Sequence, residues 1–219
     1  MTKDGRPSPI KDIRLFEART STYLDGQEEA VAYARRMAWF LNGAGFSLGS
    51  FPALYVRFAS SLNPGAARAA SDHGDWWHRY IDVGAADDFP NGPDAPDTIM
   101  SGVVAALSVF RPDQMDMINR ADAIVRAQRQ HLRFLMKRRE NNKVVTEISF
   151  NIAQWPDASC LFITVTDKAT GGCREADPIA LGWYMEAFDL LGGIRLKDAK
   201  NLREKPERPV FSGIVSRRG

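Results

Sequence analysis

The chain has 219 residues, of which 44% are hydrophobic and 26% charged, with a formal net charge of +2. This composition excludes a disordered or low-complexity chain, and no apolar run approaches the ~18 residues that a membrane-spanning helix needs. Two cysteines, Cys160 and Cys173, are too few for a disulfide scaffold and read as free thiols of a reducing compartment.

Residues 1–12 are polar and proline-containing, which predicts a flexible N-terminus. They carry no apolar signal segment, so the expected location is the cytoplasm. No Gly/Ser- or Pro-rich linker divides the rest, so residues 13–196 read as one domain. Ile13 to Tyr23 alternates weakly and predicts a first strand. A helix follows from Asp25, with Ala30, Val31, Ala34, Met37, Ala38 and Leu41 on one apolar face, Asp25 as its cap and Gly43 and Gly45 as its stop. Leu54, Val56 and Phe58 alternate with Tyr55 and Arg57 as a half-buried strand. Asn63-Pro64-Gly65 is a turn, and a short strand runs from Trp77 to Val83, ending at Gly84.

Residues 85–96 mix aspartate with proline and glycine and predict a loop. Asp97 or Thr98 then caps a helix with Ile99, Val103, Val104 and Leu107 inward. Pro112 suits the first turn of the next helix, whose inward residues are Met115, Ile118, Ala121 and Val125. An antiparallel meander follows: Leu132, Phe134 and Met136; a turn at Glu140-Asn141-Asn142; Val144, Ile148 and Phe150; then Leu161, Ile163 and Val165. Asp177-Pro178 opens a last helix through Leu181, Met185, Phe188 and Leu191, which Gly192-Gly193 ends. Residues 197–219 form a basic C-terminal tail. Runs of strands and runs of helices without regular βαβ alternation predict an α+β domain, an antiparallel sheet with helices packed on it.

Charge is segregated along the chain. Between Tyr80 and Phe110 there is no lysine or arginine, against Asp82, Asp87, Asp88, Asp94 and Asp97. From Arg126 to Lys143 the sign reverses: Arg126, Arg129, Arg133, Lys137, Arg138, Arg139 and Lys143 stand against Glu140 alone. Such polarity steers association with a charged partner. Trp76, Trp77, Tyr80 and Phe89 flank the aspartates, and aromatic side chains supply interface anchors because they bury much area with few rotors. The alternative is that alternate members, Trp76 with His78 and Tyr80, or Trp77 with Arg79 and Ile81, face a core.

Two other site readings compete. Arg133, Lys137, Arg138 and Arg139 could contact phosphates, Arg133 and Lys137 from one strand face, but the aromatics of a single-strand platform are sparse there. Asp72, His73, Asp75 and His78 offer carboxylate and imidazole, the donors of a metal-dependent hydrolase. Their His-x4-His spacing does not place both rings on one helical face, and His131 is far away in sequence. No metal or cofactor is therefore expected. Gly43-Ala44-Gly45 follows a helix and so is no phosphate cradle, and Gly171-Gly172-Cys173 has no nearby histidine.

Two blocks resemble bacterial immunity proteins of polymorphic toxin systems: Thr22-Tyr23-Leu24-Asp25-Gly26-Gln27-Glu28-Glu29 leading into the helix through Phe40-Leu41, and Trp77-x-Arg79-Tyr80-x-Asp82-Val83-Gly84. The resemblance spans about a third of the chain. It implies a tryptophan-containing α+β domain of the cytoplasm, without catalysis, that neutralises a cognate toxin by occluding its active site. The contact residues would be Asp82, Asp87, Asp88, Asp94, Trp76, Trp77, Tyr80 and Phe89.

Overall fold

The computed structural model describes residues 7–18, 22–70 and 78–193. The expected α+β architecture is present, built as two sheets with helices between them. The first sheet holds β1 (Asp12–Glu17), β2 (Thr22–Tyr23), β3 (Ala53–Ala59), β4 (Ala67–Ala69) and β5 (His78–Gly84) in the order β2-β1-β3-β5-β4. Its centre is parallel, β1 with β3 and β3 with β5, while β2 and β4 close the edges antiparallel. Helix α1 (Glu28–Gly43) makes the crossover that parallel β1 and β3 require. The stretch expected as one strand from Ile13 to Tyr23 is thus two strands that fold back on each other, Phe16 opposite Tyr23.

The second sheet is wholly antiparallel. The expected meander is β6 (Arg133–Glu140), β7 (Val144–Asn151) and β8 (Ser159–Asp167), with β9 (Cys173–Glu175) and β10 (Ile179–Leu181) both pairing β8. The turn between β6 and β7 is fixed by Asn141, whose Oδ1 accepts from the backbone N–H of Lys143 and Val144. The last helix, α4, spans only Glu186–Gly193. The segment expected to open it pairs with β8 instead, because Ile179 and Leu181 meet Leu161 and Ser159 across the ladder.

One continuous core joins both sheets and all the helices. Val56, Phe58, Ile81 and Val83 point from the first sheet toward α1 and α2 (Ala95–Phe110). Gly102 lets α2 approach closely: a Cβ there would lie 2.6 Å from Phe58 Cε1. Helix α3 (Met115–Gln128) packs on α1 and α2 with Ile118, Ala121 and Val125 buried, but Met115 is 38% exposed at its first turn, not inward. Phe134 and Phe150 of the second sheet meet Trp39 of α1 at ring distances of 6.3 and 5.2 Å. Phe188 of α4 stays partly exposed while its ring lies 5.2 Å from Trp39.

Because α1 packs against the first sheet, α3 and the second sheet, it buries more than the single expected face. Tyr33 donates to Asp122, and Arg36, 1% exposed, donates to Ile152 O at 2.8 Å and to Glu29 at 3.0 Å. A buried guanidinium needs both partners to offset its desolvation. The helix caps also differ from expectation. Gln27, not Asp25, precedes α1, and Asp94, not Asp97 or Thr98, precedes α2, neither with a side-chain cap. Pro96 lies inside the first turn of α2, where a missing N–H costs nothing. Residues 8–11, expected to be flexible, are held by backbone bonds from Ser8 to Gly49, Ile10 to Phe46 and Lys11 to Pro52, and Ile10 is fully buried. The 197–219 tail lies outside the described residues.

Candidate functional site

The acidic loop occupies the connection from β5 to α2. Asp87, Asp88 and Asp94 are exposed there and form no ion pair with a described residue. The loop is shaped by its own backbone: Phe89 N–H bonds Ala86 O at 3.1 Å, Asn91 N–H bonds Asp88 O at 2.8 Å, and Ala95 N–H bonds Gly92 O at 3.1 Å. Asp88 folds over Gly92, where a Cβ would stand 2.6 Å from its Oδ2. Phe89 is not a free anchor: its ring stacks on Phe58 at 5.0 Å and pins the loop to the core.

Asp82 and Tyr80 lie elsewhere, on the face of the first sheet that turns away from the helices. Asp82 accepts from Arg57 Nε at 2.8 Å. Tyr80 packs beside Tyr55, Phe16 and Ala53, with the Arg57 guanidinium 4.7 Å from its ring centre. His78 stacks on Tyr55 at 4.2 Å, and burial pushes the Tyr55 phenol up to about 12. His78 and Tyr80 therefore share this face, while Ile81 enters the main core. Asp72, His73, Asp75, Trp76 and Trp77 lie outside the described residues. Among the described residues no three His, Cys, Asp or Glu side chains converge as a metal set. Cys160 and Cys173 are both free thiols.

The basic stretch does not form one face. A bulge between Leu135 and Lys137 shifts the register, so Arg133 stands opposite Asn151 but Lys137 opposite the buried Ile148. Arg133 and Lys137, expected on one strand face, thus point to opposite sides of the sheet. Arg133 is held bidentately by Glu175 and lies 3.7 Å from the centre of the Phe162 ring. That guanidinium keeps the Glu175 carboxyl below its ordinary value. Arg126 pairs with Asp122 at 2.7 Å, and Arg138 reaches Glu140 at 3.3 Å and Glu147 at 3.8 Å.

A cleft of about 520 Å³ opens where the first sheet meets two turns of the second. Its walls are β1, β2 and the start of α1 on one side, and the turns bearing Trp155 and Trp183 on the other. Those indoles are 73% and 53% exposed. Arg14 donates to Asp12 at 2.6 Å and to the Tyr23 hydroxyl at 3.0 Å. Burial works against the Arg14 charge, but the bond and charge of Asp12 outweigh it and hold its proton more tightly than usual. The Arg35 guanidinium sits 5.7 Å from the ring centre of Tyr184, a buried phenol whose ionisation is pushed up, chiefly by that burial. Asp25 and Glu28 complete the rim and form no ion pair with a described residue.

Sequence reasoning passed over Trp155 and Trp183. The detectable clue was position: Trp155 precedes Pro156-Asp157 between two strand patterns, and Trp183 follows Gly182, so each sits in a turn where an indole has no sheet face to enter. No helix among the described residues is long and apolar enough to cross a membrane. No protein-family model, curated protein or solved structure matches the chain.

Proposed function

We propose that this chain is a cytoplasmic immunity protein that binds a cognate bacterial toxin and blocks its active site, with no chemistry of its own. The observation that supports the reading is the loop from Ala86 to Asp94. It presents Asp87, Asp88 and Asp94 to solvent, while Phe89 and three backbone bonds hold its shape. A loop already shaped before contact pays less ordering entropy on binding, and its uncompensated carboxylates speed the encounter with a basic surface. An inhibitor of this kind needs only area, anchors and complementary charge.

The test is co-expression with a toxin candidate from a neighbouring gene. The protein is expected to restore growth, and Asp87→Lys/Asp88→Lys is expected to bind the purified toxin with a slower association rate. That pair changes stability by no more than about 1 kcal/mol, since both side chains are exposed. Full protection by the variant at an unchanged association rate would remove the loop from the interface. A protein that protects against no neighbouring toxin would end the immunity reading altogether.

A further inference from the structure

The cleft beside Trp155 and Trp183 has a chemistry that the acidic loop alone does not explain. Two exposed indoles line it together with Asp25 and Glu28, carboxylates with no cation partner among the described residues. Indole faces and carboxylates together suit a cation that carries apolar carbon, because the ring quadrupole and the carboxylate attract the same charge. The fold already uses this chemistry nearby: the Arg35 guanidinium lies over Tyr184 and that of Arg14 over Tyr55. Those two arginines are engaged, Arg14 with Asp12 and Tyr23, and Arg35 with the Tyr184 ring. Neither is placed over Trp155 or Trp183. The cleft also adjoins the acidic loop, since Gln27, one of its lining residues, donates to Pro90 O at 3.0 Å.

We propose that the cleft receives an arginine- or lysine-bearing segment of the protein partner, seating its cationic side chains against Trp155 and Trp183 with Asp25 and Glu28 as counter-charges. This deepens the immunity reading and rests on it: the loop would steer a basic surface, and the cleft would hold it. A lone exposed cation–π contact is weak, so affinity in the intact complex comes from several such contacts made together.

The experiment follows the five indole N–H signals of the protein by NMR. Trp155→Phe and Trp183→Phe assign the two that matter. The probe is acetyl-triarginine-amide, with acetyl-triglutamate-amide, adenosine monophosphate and cellotriose as comparisons. Triarginine is expected to shift the Trp155 and Trp183 signals saturably. The shifts weaken as salt is raised, and Asp25→Asn/Glu28→Gln weakens binding by roughly tenfold, the loss of about 1.4 kcal/mol of attraction. Triglutamate leaves both signals in place. No saturable shift at either indole would overturn the proposal, as would shifts untouched by the Asp25/Glu28 variant. Stronger binding of the nucleotide or the sugar would overturn it in favour of base or sugar stacking. The two readings fail separately. A cleft that ignores triarginine, in a protein whose loop variant still slows toxin association, loses only the cleft. A cleft that binds triarginine, in a protein that protects against no toxin, loses only the immunity function.

Discussion

Gln27 Nε2 donates a 3.0 Å hydrogen bond to the carbonyl oxygen of Pro90, tying the start of α1 to the acidic loop across 63 positions of sequence. The bond is not a helix cap: a cap accepts helix N–H groups through a side-chain oxygen, whereas here the Gln27 amide N–H donates to the loop. It also places Pro90 of the loop beside the end of the cleft that holds Asp25 and Glu28.

Removing that tie should loosen the loop without unfolding the domain. Gln27→Ala is expected to cost about 1 kcal/mol, the usual net value of one such bond. Hydrogen exchange at the amides of Phe89, Asn91 and Ala95 should quicken, while the amides of β7 keep their protection. Unchanged exchange across residues 86–95 would mean that the Phe89 stack and the loop's own backbone bonds set its shape without the tie.

Two glycines fill positions with no room for a methyl group, and their replacements should rank in a definite order. At Gly102 an alanine Cβ would meet the Phe58 ring at 2.6 Å, an overpacking that costs about 1–3 kcal/mol. At Gly84 it would meet the backbone oxygen of Asn63 at 1.9 Å, in a turn that already accepts and donates backbone bonds around Gly84. Backbone cannot rotate aside, so Gly84→Ala should lose more stability than Gly102→Ala in urea unfolding. The reverse order would show that the Asn63-Pro64-Gly65 turn moves freely.

The Tyr33 hydroxyl bonds Asp122, which also holds Arg126 at 2.7 Å. Burial first, and then the Asp122 bond, raise Tyr33 far above the ordinary phenol value of 10.0. With the folded value raised, the stabilising contribution is complete below pH 10 and erodes as pH rises beyond it, since only the unfolded phenol ionises there. Tyr33→Phe should therefore cost about 1 kcal/mol at neutral pH. It should also lose less stability than the wild type between neutral and strongly alkaline pH. Parallel losses in urea titrations would show that the hydroxyl escapes on ionisation.

The bulge in β6 bears on nucleic acid. Arg133 and Lys137 project to opposite sides of the sheet, and Arg133 is already bound to Glu175. Arg133→Ala/Lys137→Ala/Arg139→Ala should therefore leave any DNA or RNA binding at its weak, non-specific level, without altering its salt slope by the ~3 counterions of a shared phosphate surface. A salt-sensitive, submicromolar complex abolished by this triple change would restore the nucleic-acid reading.

Local pattern alone determined the meander, most of the helices and the loop, because those elements rest on period, turn chemistry and proline, which act over a few residues. Ile148 and Phe150 against Ile163 and Leu161 needed only alternation, and Asn141 needed only its own side chain. The exposed aspartates at 87, 88 and 94 were equally legible, since glycine and proline keep that stretch out of both sheets. Tertiary structure decided what sequence spacing cannot encode. Parallel pairing of β1 with β3 depends on α1 crossing between them. The burial of Tyr33 depends on α3, and that of Arg36 on the end of the second sheet at Ile152, both closing over parts of α1 outside the expected apolar face. One extra residue in β6 turned Lys137 away from Arg133, and a bulge leaves no mark in hydrophobic alternation. The cleft is the fullest case. Asp25, Trp155 and Trp183 come from three distant turns, and only the packing of the second sheet on α1, where Phe150 meets Trp39, brings them to a single opening.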